Sequence, residues 1–183
     1  PQKVVVEVTT PVSQIMVVKD KVLEIYYPIE GKAFRFKSKG KIPLPFIEAI
    51  RQATQADGGL TDLGYSLLKH EQKENTLYTY WQPPSKMKKV LGIAILGSIE
   101  DRIVSFEMQT PNGGIAAKSV YQKHIKLADR YIPMEISSEI HDLSGMIQYE
   151  HVSYSNAQLN MKLPDWVVKF RIPMSVKVKE VEW

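Results

Sequence analysis

Residues 13–27 read SQIMVVKDKVLEIYY. Two runs rich in β-branched, aliphatic and aromatic residues, Ser13–Lys19 and Val22–Tyr27, flank the polar pair Asp20-Lys21. Such runs around a two-residue break predict a β-hairpin. Asp-Lys is not the Asn-Gly or Asp-Gly pair that a primed turn favours, so the register stays open. On the N-terminal side, Lys3–Thr9 (KVVVEVT) alternates with a β-branched bias and predicts another strand. On the C-terminal side, Lys32–Lys37 (KAFRFK) predicts a fourth, with Phe34 and Phe36 on one face and Arg35 on the other.

Beyond these strands the pattern changes. Ile42–Thr54 begins with Pro43 and Pro45, and Phe46, Ile47 and Ile50 follow at helical spacing. Proline is tolerated in a first helical turn, where its missing N–H has no partner to lose, so Pro43–Thr54 predicts a helix. Ala56–Asp62 (ADGGLTD) reads as a flexible loop from its paired glycines. Strands resume at Tyr65–His70 and Thr76–Trp81, then Val90–Leu96 and Ile103–Met108 flank Glu100-Asp101. A simple hairpin there sets Ile95 opposite Phe106 and Ile93 opposite Met108. Ala116–Leu127 follows the turn Pro111–Gly114. Met134–His141 and Met146–Tyr154 form a hairpin around Asp142–Gly145, with Met134, Ile136, Ser138 and Ile140 on one face. Leu163–Val168 reads as a helical turn, and Phe170–Ile172 and Ser175–Val181 close the chain. About ten antiparallel strands with short connections make a meander, with no βαβ unit.

The chain has 183 residues, 44% hydrophobic and 24% charged, an ordinary globular balance. That length suits one domain, so the expectation is a single domain over 1–183. Zero cysteines exclude a disulfide framework, a thiolate zinc site, an iron–sulfur cluster and a cysteine nucleophile, and, for the chain as given, a lipid-modified N-terminal cysteine. No apolar run reaches the length of a membrane-spanning helix. The chain begins at Pro1 without Met and reads as a processed or trimmed product.

Motif-borne chemistry is sparse. No GxGxxG, Walker A or GxSxG run occurs. His70-Glu71 opens like HExxH, but Glu74 stands where the second ligand belongs. His70, His124, His141 and His151 fall on separate predicted strands, and a turn over Asp142–Gly145 puts His141 and His151 on opposite faces. Glu135 and Glu139 share a strand face that reads as solvated. Neither a metal nor a cofactor is expected, and no side-chain constellation supports an enzyme. The net charge of +4 permits contact with an anionic surface without demanding it. One basic run is Lys32, Arg35, Lys37, Lys39 and Lys41; a second, Lys86, Lys88 and Lys89, follows Tyr78, Tyr80 and Trp81. Solvated surface is the plainer reading of both, with anionic headgroup or partner contact second. Without a recognisable binding fold, no nucleic-acid partner is expected.

What remains is apolar. Ile15, Val17, Leu23, Ile25, Phe34, Phe36, Ile93, Ile95, Val104, Phe106, Met108, Met134, Ile136 and Ile140 read as one side of a large sheet. Either the sheet curls into a barrel or sandwich and packs on itself, or the face is incompletely covered and forms an apolar ligand cavity.

The first quarter of the chain, Pro1–Pro11 followed by Ile15–Lys21 and Leu23–Pro28, resembles the LolA family of periplasmic lipoprotein carriers. The resemblance lies in a run of proline, strand, proline, strand, a DGK-like turn, strand and Tyr-x-Pro. Tyr131-Ile132-Pro133, Gly145, Asn160 and Phe170–Pro173 are similar to the family's closing strands. The chain departs at Lys21, where glycine is usual. The resemblance implies a mainly β fold with a few helices (α+β): a large antiparallel sheet curled into an open, incomplete β-barrel with a helical lid. Family members carry a helix and further strands upstream of the run that starts here, so the family's ligand-contacting Arg has no counterpart; Lys3 does not match it. The implied activity is non-catalytic binding of lipoprotein acyl chains and their transfer across the periplasm to the outer membrane. Acylated lipoproteins or other lipids are the implied ligands, and an inner-membrane release complex and an outer-membrane acceptor the implied partners. The lipid-binding residues expected on this reading are Ile15, Val17, Leu23, Ile25, Phe34, Phe36, Ile93, Ile95, Phe106, Met108 and Ile136, with Phe46, Ile47 and Ile50 on a lid helix hinged at Gly58-Gly59. A lipoprotein-sensing or regulatory module on the same fold is the alternative.

Overall fold

The computed structural model describes residues 3–38, 55–142, 144–158 and 161–182. The chain divides into two compact units, Pro1–Leu44 with Met161–Trp183, and the intervening Pro45–Asn160. The fold is mainly β, as the alternation predicts, with a large antiparallel sheet. The predicted helix Pro43–Thr54, with Phe46, Ile47 and Ile50, lies outside the described residues.

In the first unit, β1 (Lys3–Val8), β2 (Gln14–Lys19), β3 (Val22–Tyr27) and β4 (Lys32–Lys37) form an antiparallel meander. The last strand, β14 (Val178–Glu182), adds to β4 in parallel, pairing Val178 with Ala33. A parallel neighbour needs a long crossover, and here the whole second unit lies between the two strands in sequence. The β2–β3 turn closes on Lys19 opposite Val22 with Asp20 at φ 55°, so the left-handed position falls on Asp20. Aspartate tolerates that region, and Lys21 needs no glycine.

That register corrects one expected face. Val17 pairs with Glu24 and Ile15 with Tyr26, so Ile15 and Val17 share a side with Glu24 and Arg35. Leu23, Ile25, Phe34 and Phe36 occupy the other side, where Tyr27 meets Phe34 edge-on at 6.1 Å between ring centroids. β2 is apolar on both faces (Ile15, Met16, Val17, Val18), so its own pattern did not say which set joins the phenylalanines. The Ile15–Val17 side is crossed by the short helix α1 (Asp165–Lys169). Lys3 Nζ donates to the carbonyls of Val167 and Val168 at 2.9 and 3.1 Å, and the Phe170 ring lies 6.3 Å from Tyr26. Lysine thereby satisfies carbonyls that the end of a helix leaves open.

The second unit holds a seven-stranded antiparallel sheet in the order β13-β12-β9-β8-β7-β6-β5, and it does not close on itself. Its strands are β5 (Ser66–Lys73), β6 (Thr76–Gln82), β7 (Ala94–Ile99), β8 (Arg102–Gln109), β9 (Ile115–Gln122), β12 (Glu135–His141) and β13 (Ile147–Ser153). A two-stranded ribbon, β10 (Ile125–Leu127) and β11 (Arg130–Ile132), sits between β9 and β12 in sequence.

Two registers here differ from expectation by one residue. In β7–β8 the pairing slips between Gly97 and Ser98, so Leu96 faces Phe106, Ala94 faces Met108 and Ile95 faces Glu107. Val104 is the extra residue of a bulge, and the pairing of Ile95 with Phe106 is thereby overturned. Gly97 permits the close approach: a Cβ there would lie 2.3 Å from Ser105 Oγ. In β12–β13 the loop has five residues, because His141 pairs with Ile147. The Asp142 carboxylate accepts from Ser144 N and Met146 N at 2.8 and 2.9 Å, which keeps Met146 in the turn. His141 and His151 consequently share a face, where His151 Nδ1 lies 3.0 Å from Ser137 Oγ.

Candidate functional site

Directly paired residues of a sheet point to the same side. Across the second unit's sheet, one face therefore carries Trp81, Ala94, Leu96, Ile103, Phe106, Met108, Ala117, Tyr121, Ile136 and Ile140. Ala94, Leu96, Ile103, Tyr121 and Ile136 form a buried cluster together with Leu60 and Tyr65 from the segment before β5. Trp81, Leu91, Phe106, Met108 and Tyr154 pack against it but stay partly open. Farther out, Leu67, Leu77 and Ile140 are exposed. The face thus has a sealed centre and open apolar flanks.

The cover of that centre comes from residues expected to be a flexible loop. Leu60 is the most enclosed large side chain here, at 1% exposure. The Asp57 carboxylate accepts from Gly59 N at 2.9 Å and from Thr61 N at 3.1 Å. Burial alone would push the Asp57 carboxyl up, but bonds from the Thr61 hydroxyl and these amides outweigh it and hold it below its ordinary range. Gly58 and Gly59 are buried with φ of 61° and 76°, and a Cβ on Gly58 would press on Leu96 at 3.1 Å. The paired glycines therefore build a packed turn. Tyr65 adds a hydroxyl directed at Met108 Sδ, 3.2 Å away.

Of the residues expected to bind lipid, the structure brings Phe106, Met108 and Ile136 together on this face. Ile95 lies on the opposite face, and Ile93 precedes the strand. Leu23, Ile25, Phe34 and Phe36 share a face of the first unit, with Ile15 and Val17 on its reverse. Sequence reasoning passed over Leu60, Tyr65, Trp81, Leu96 and Tyr121. Ala94 and Leu96 alternate detectably with Ile93 and Ile95, but the bulge decides which set is inward. Nothing in a Gly-Gly segment marks Leu60 as core.

The face is not uniformly greasy. The rows across β8, β9 and β12 run from the buried pair Tyr121–Ile136, through Phe106–Ser119–Ser138, to Met108–Ala117–Ile140. In the middle row the Ser119 and Ser138 hydroxyls bond to each other at 2.9 Å. Burial pushes the Tyr121 phenol up to about 12, a bond from Ser119 opposing it. At the edge of the same face, a cavity of about 730 Å³ is lined by Asp57, Glu100, Asp101, Asp129, Arg130 and Tyr131 beside Leu77 and Ile103. Its carboxylates make it unsuited to an acyl chain. Among the described residues, no three His, Asp or Glu side chains converge as metal ligands. His124 Nε2 lies 2.9 Å from the Ile103 carbonyl, and burial, with Arg102 nearby, keeps its pKa low despite that bond.

No family model and no curated protein matches the chain. Solved structures do. A DUF1329 family protein from Desulfovibrio piger aligns over 86% of this chain and 69% of its own, with a TM-score of 0.50 and 11% identity. A LolA superfamily protein from Nitrosomonas europaea aligns over 86% and 74%, at a TM-score of 0.45 and 16% identity. A domain named as an outer membrane lipoprotein-sorting protein, from Vibrio parahaemolyticus, aligns over 82% and 80%, at 0.41 and 12%. At these identities the likeness is one of fold.

Proposed function

We propose that this chain is a non-catalytic carrier for the acyl chains of lipoproteins, moving them across the periplasm to the outer membrane. One observation carries the reading. Among the described residues, the apolar face of the seven-stranded sheet is sealed only at its centre, by Leu60 and Tyr65, while Trp81, Phe106, Met108 and Ile140 stay partly exposed around it. A soluble domain that leaves such flanks open offers them to an apolar ligand. The sequence resemblance supplies the ligand class. On this reading residues 1–183 act as one lipid-binding domain with the features of an open barrel.

The test is native mass spectrometry of the purified protein, with and without an added diacylated peptide. A co-purified acylated species, or uptake of the peptide that is weakened by Phe106→Ser and Met108→Ser, supports the carrier. A clean apo mass with no uptake overturns it.

A further inference from the structure

The second basic run of the sequence lies in the connection from β6 to β7. Residues 83–91 leave β6 through Pro83-Pro84, form a 3-10 turn over Ser85–Met87, and close with Val90 N and Leu91 N both bonded to the Met87 carbonyl at 2.9 Å. This tight turn presents Lys86, Lys88 and Lys89 to solvent, and among the described residues none of the three forms an ion pair. Beside them stand two exposed apolar side chains, Met87 at 42% and Val90 at 64% exposure. A third comes from the sheet edge. β5 slips register between Leu67 and Lys69, so Leu68 has no cross-strand partner. Leu68 instead lines a groove of about 320 Å³ with Pro83, Lys88 and Leu91.

We propose that Lys86, Lys88 and Lys89, with Met87, Val90 and Leu68, form a docking surface for an anionic lipid bilayer. Charge complementarity selects the occupant. Three unneutralised ammonium groups on one turn attract a negatively charged leaflet, and lysine keeps its head in water while its stem lies on apolar surface. Exposed Met, Val and Leu side chains among them then enter the headgroup–acyl boundary, the arrangement that distinguishes membrane contact from a merely solvated basic patch. The surface is distinct from the proposed acyl-chain site and stands whether or not that reading holds.

The experiment uses vesicle flotation of the full chain. With vesicles of phosphatidylcholine plus about a third phosphatidylglycerol, the protein floats; with phosphatidylcholine alone it does not. Each lysine near an anionic surface is worth about fivefold in partitioning, so Lys86→Gln, Lys88→Gln and Lys89→Gln together lower it roughly a hundredfold. The corresponding triple arginine variant retains it. Because the chain has no cysteine, Met87→Cys and Met146→Cys each give a single labelling site, the latter on the loop beside the opposite edge strand β13. A polarity-sensitive dye at position 87 shifts to the blue on anionic vesicles, and at position 146 it does not. Equal flotation on neutral vesicles, flotation unchanged in the triple glutamine variant, or a blue shift at 146 without one at 87 overturns the proposal. Unchanged thermal unfolding of the glutamine variant separates lost docking from lost fold.

Discussion

Leu60→Ala probes whether a glycine-rich segment supplies the second unit's core. Leu60 is 1% exposed and packs in the cluster with Leu96, Ile103, Tyr121 and Ile136. The substitution removes three carbons. At about 0.8 kcal/mol each, the lost transfer free energy is about 2.4 kcal/mol. The hole cannot close fully, because the turn is anchored at both ends: Leu60 N donates to the Asp57 carbonyl at 3.1 Å, and Tyr65 N donates to the Leu60 carbonyl at 3.0 Å. The residual cavity brings the cost to about 3 kcal/mol, inside the range for buried Leu→Ala changes. For a unit of this size, each kcal/mol moves Tm by about 4 °C, so a fall of about 12 °C is expected. Trp81 is the tryptophan of this unit and packs against the same cluster. In a Trp166→Phe, Trp183→Phe background its fluorescence follows the unit alone during a thermal scan. A fall below about 3 °C would refute the reasoning, since Leu60 would then be a surface residue of a mobile loop.

Two further outcomes follow from the ionisable groups. Tyr121 is pushed up to about 12 by burial from an ordinary 10.0, so its contribution is complete below pH 10 and lost as pH rises through 12; alkaline unfolding monitored by circular dichroism should move to higher pH in Tyr121→Phe, and an unchanged midpoint would count against a buried phenol. Arg35 bridges Glu24 at 2.7 Å and Glu180 at 2.8 Å, linking β3, β4 and β14. Its pKa rises chiefly through the bond to Glu24, then that to Glu180, but the site is a third exposed. Arg35→Met should therefore cost only about 1 kcal/mol, less in high salt, and appear as faster hydrogen exchange in Val178–Val181; protection that stays the same in both strands would exclude the bridge as a tie.

The strands were legible wherever apolar and polar residues alternate: the β2–β3 hairpin and the inward set Ile136, Ser138 and Ile140 stand as read. Faces were less legible, because a single extra residue reverses a strand. The Val104 bulge moved Ile95 away from Phe106, and the Asp142 loop moved His151 to the side of His141. In β2 both faces are apolar, so only the cross-strand partner Glu24 reveals the side of Val17. Leu60 was illegible for a different reason. Paired glycines signal conformational freedom, and whether that freedom builds a mobile loop or a tight turn depends on the capping carboxylate of Asp57 and on Leu96 filling the space beside Gly58.

On the proposed carrier reading, the sheet restricts where cargo would sit. The centre of the face cannot serve both as core and as ligand site unless its cover moves, and that cover is held by Asp57, two buried glycines and the backbone bonds of Leu60. An acyl chain on this sheet is thus confined to the flanks, along Met108, Ala117 and Ile140 on one side of the serine pair. Contact there buries only one side of the chain. If about half of each methylene's ~0.8 kcal/mol is realised, a chain of about fourteen carbons gains roughly 5 kcal/mol, against about 11 kcal/mol when fully enclosed. The smaller figure corresponds to a dissociation constant in the range of tenths of a millimolar per chain. Two or three chains of one lipoprotein would then hold together through linkage while each detaches readily. For a carrier, a shallow flank is better suited to hand-over than a deep cavity, and making it wholly apolar by Ser119→Val with Ser138→Val should raise retention of a diacylated peptide and slow its release to vesicles.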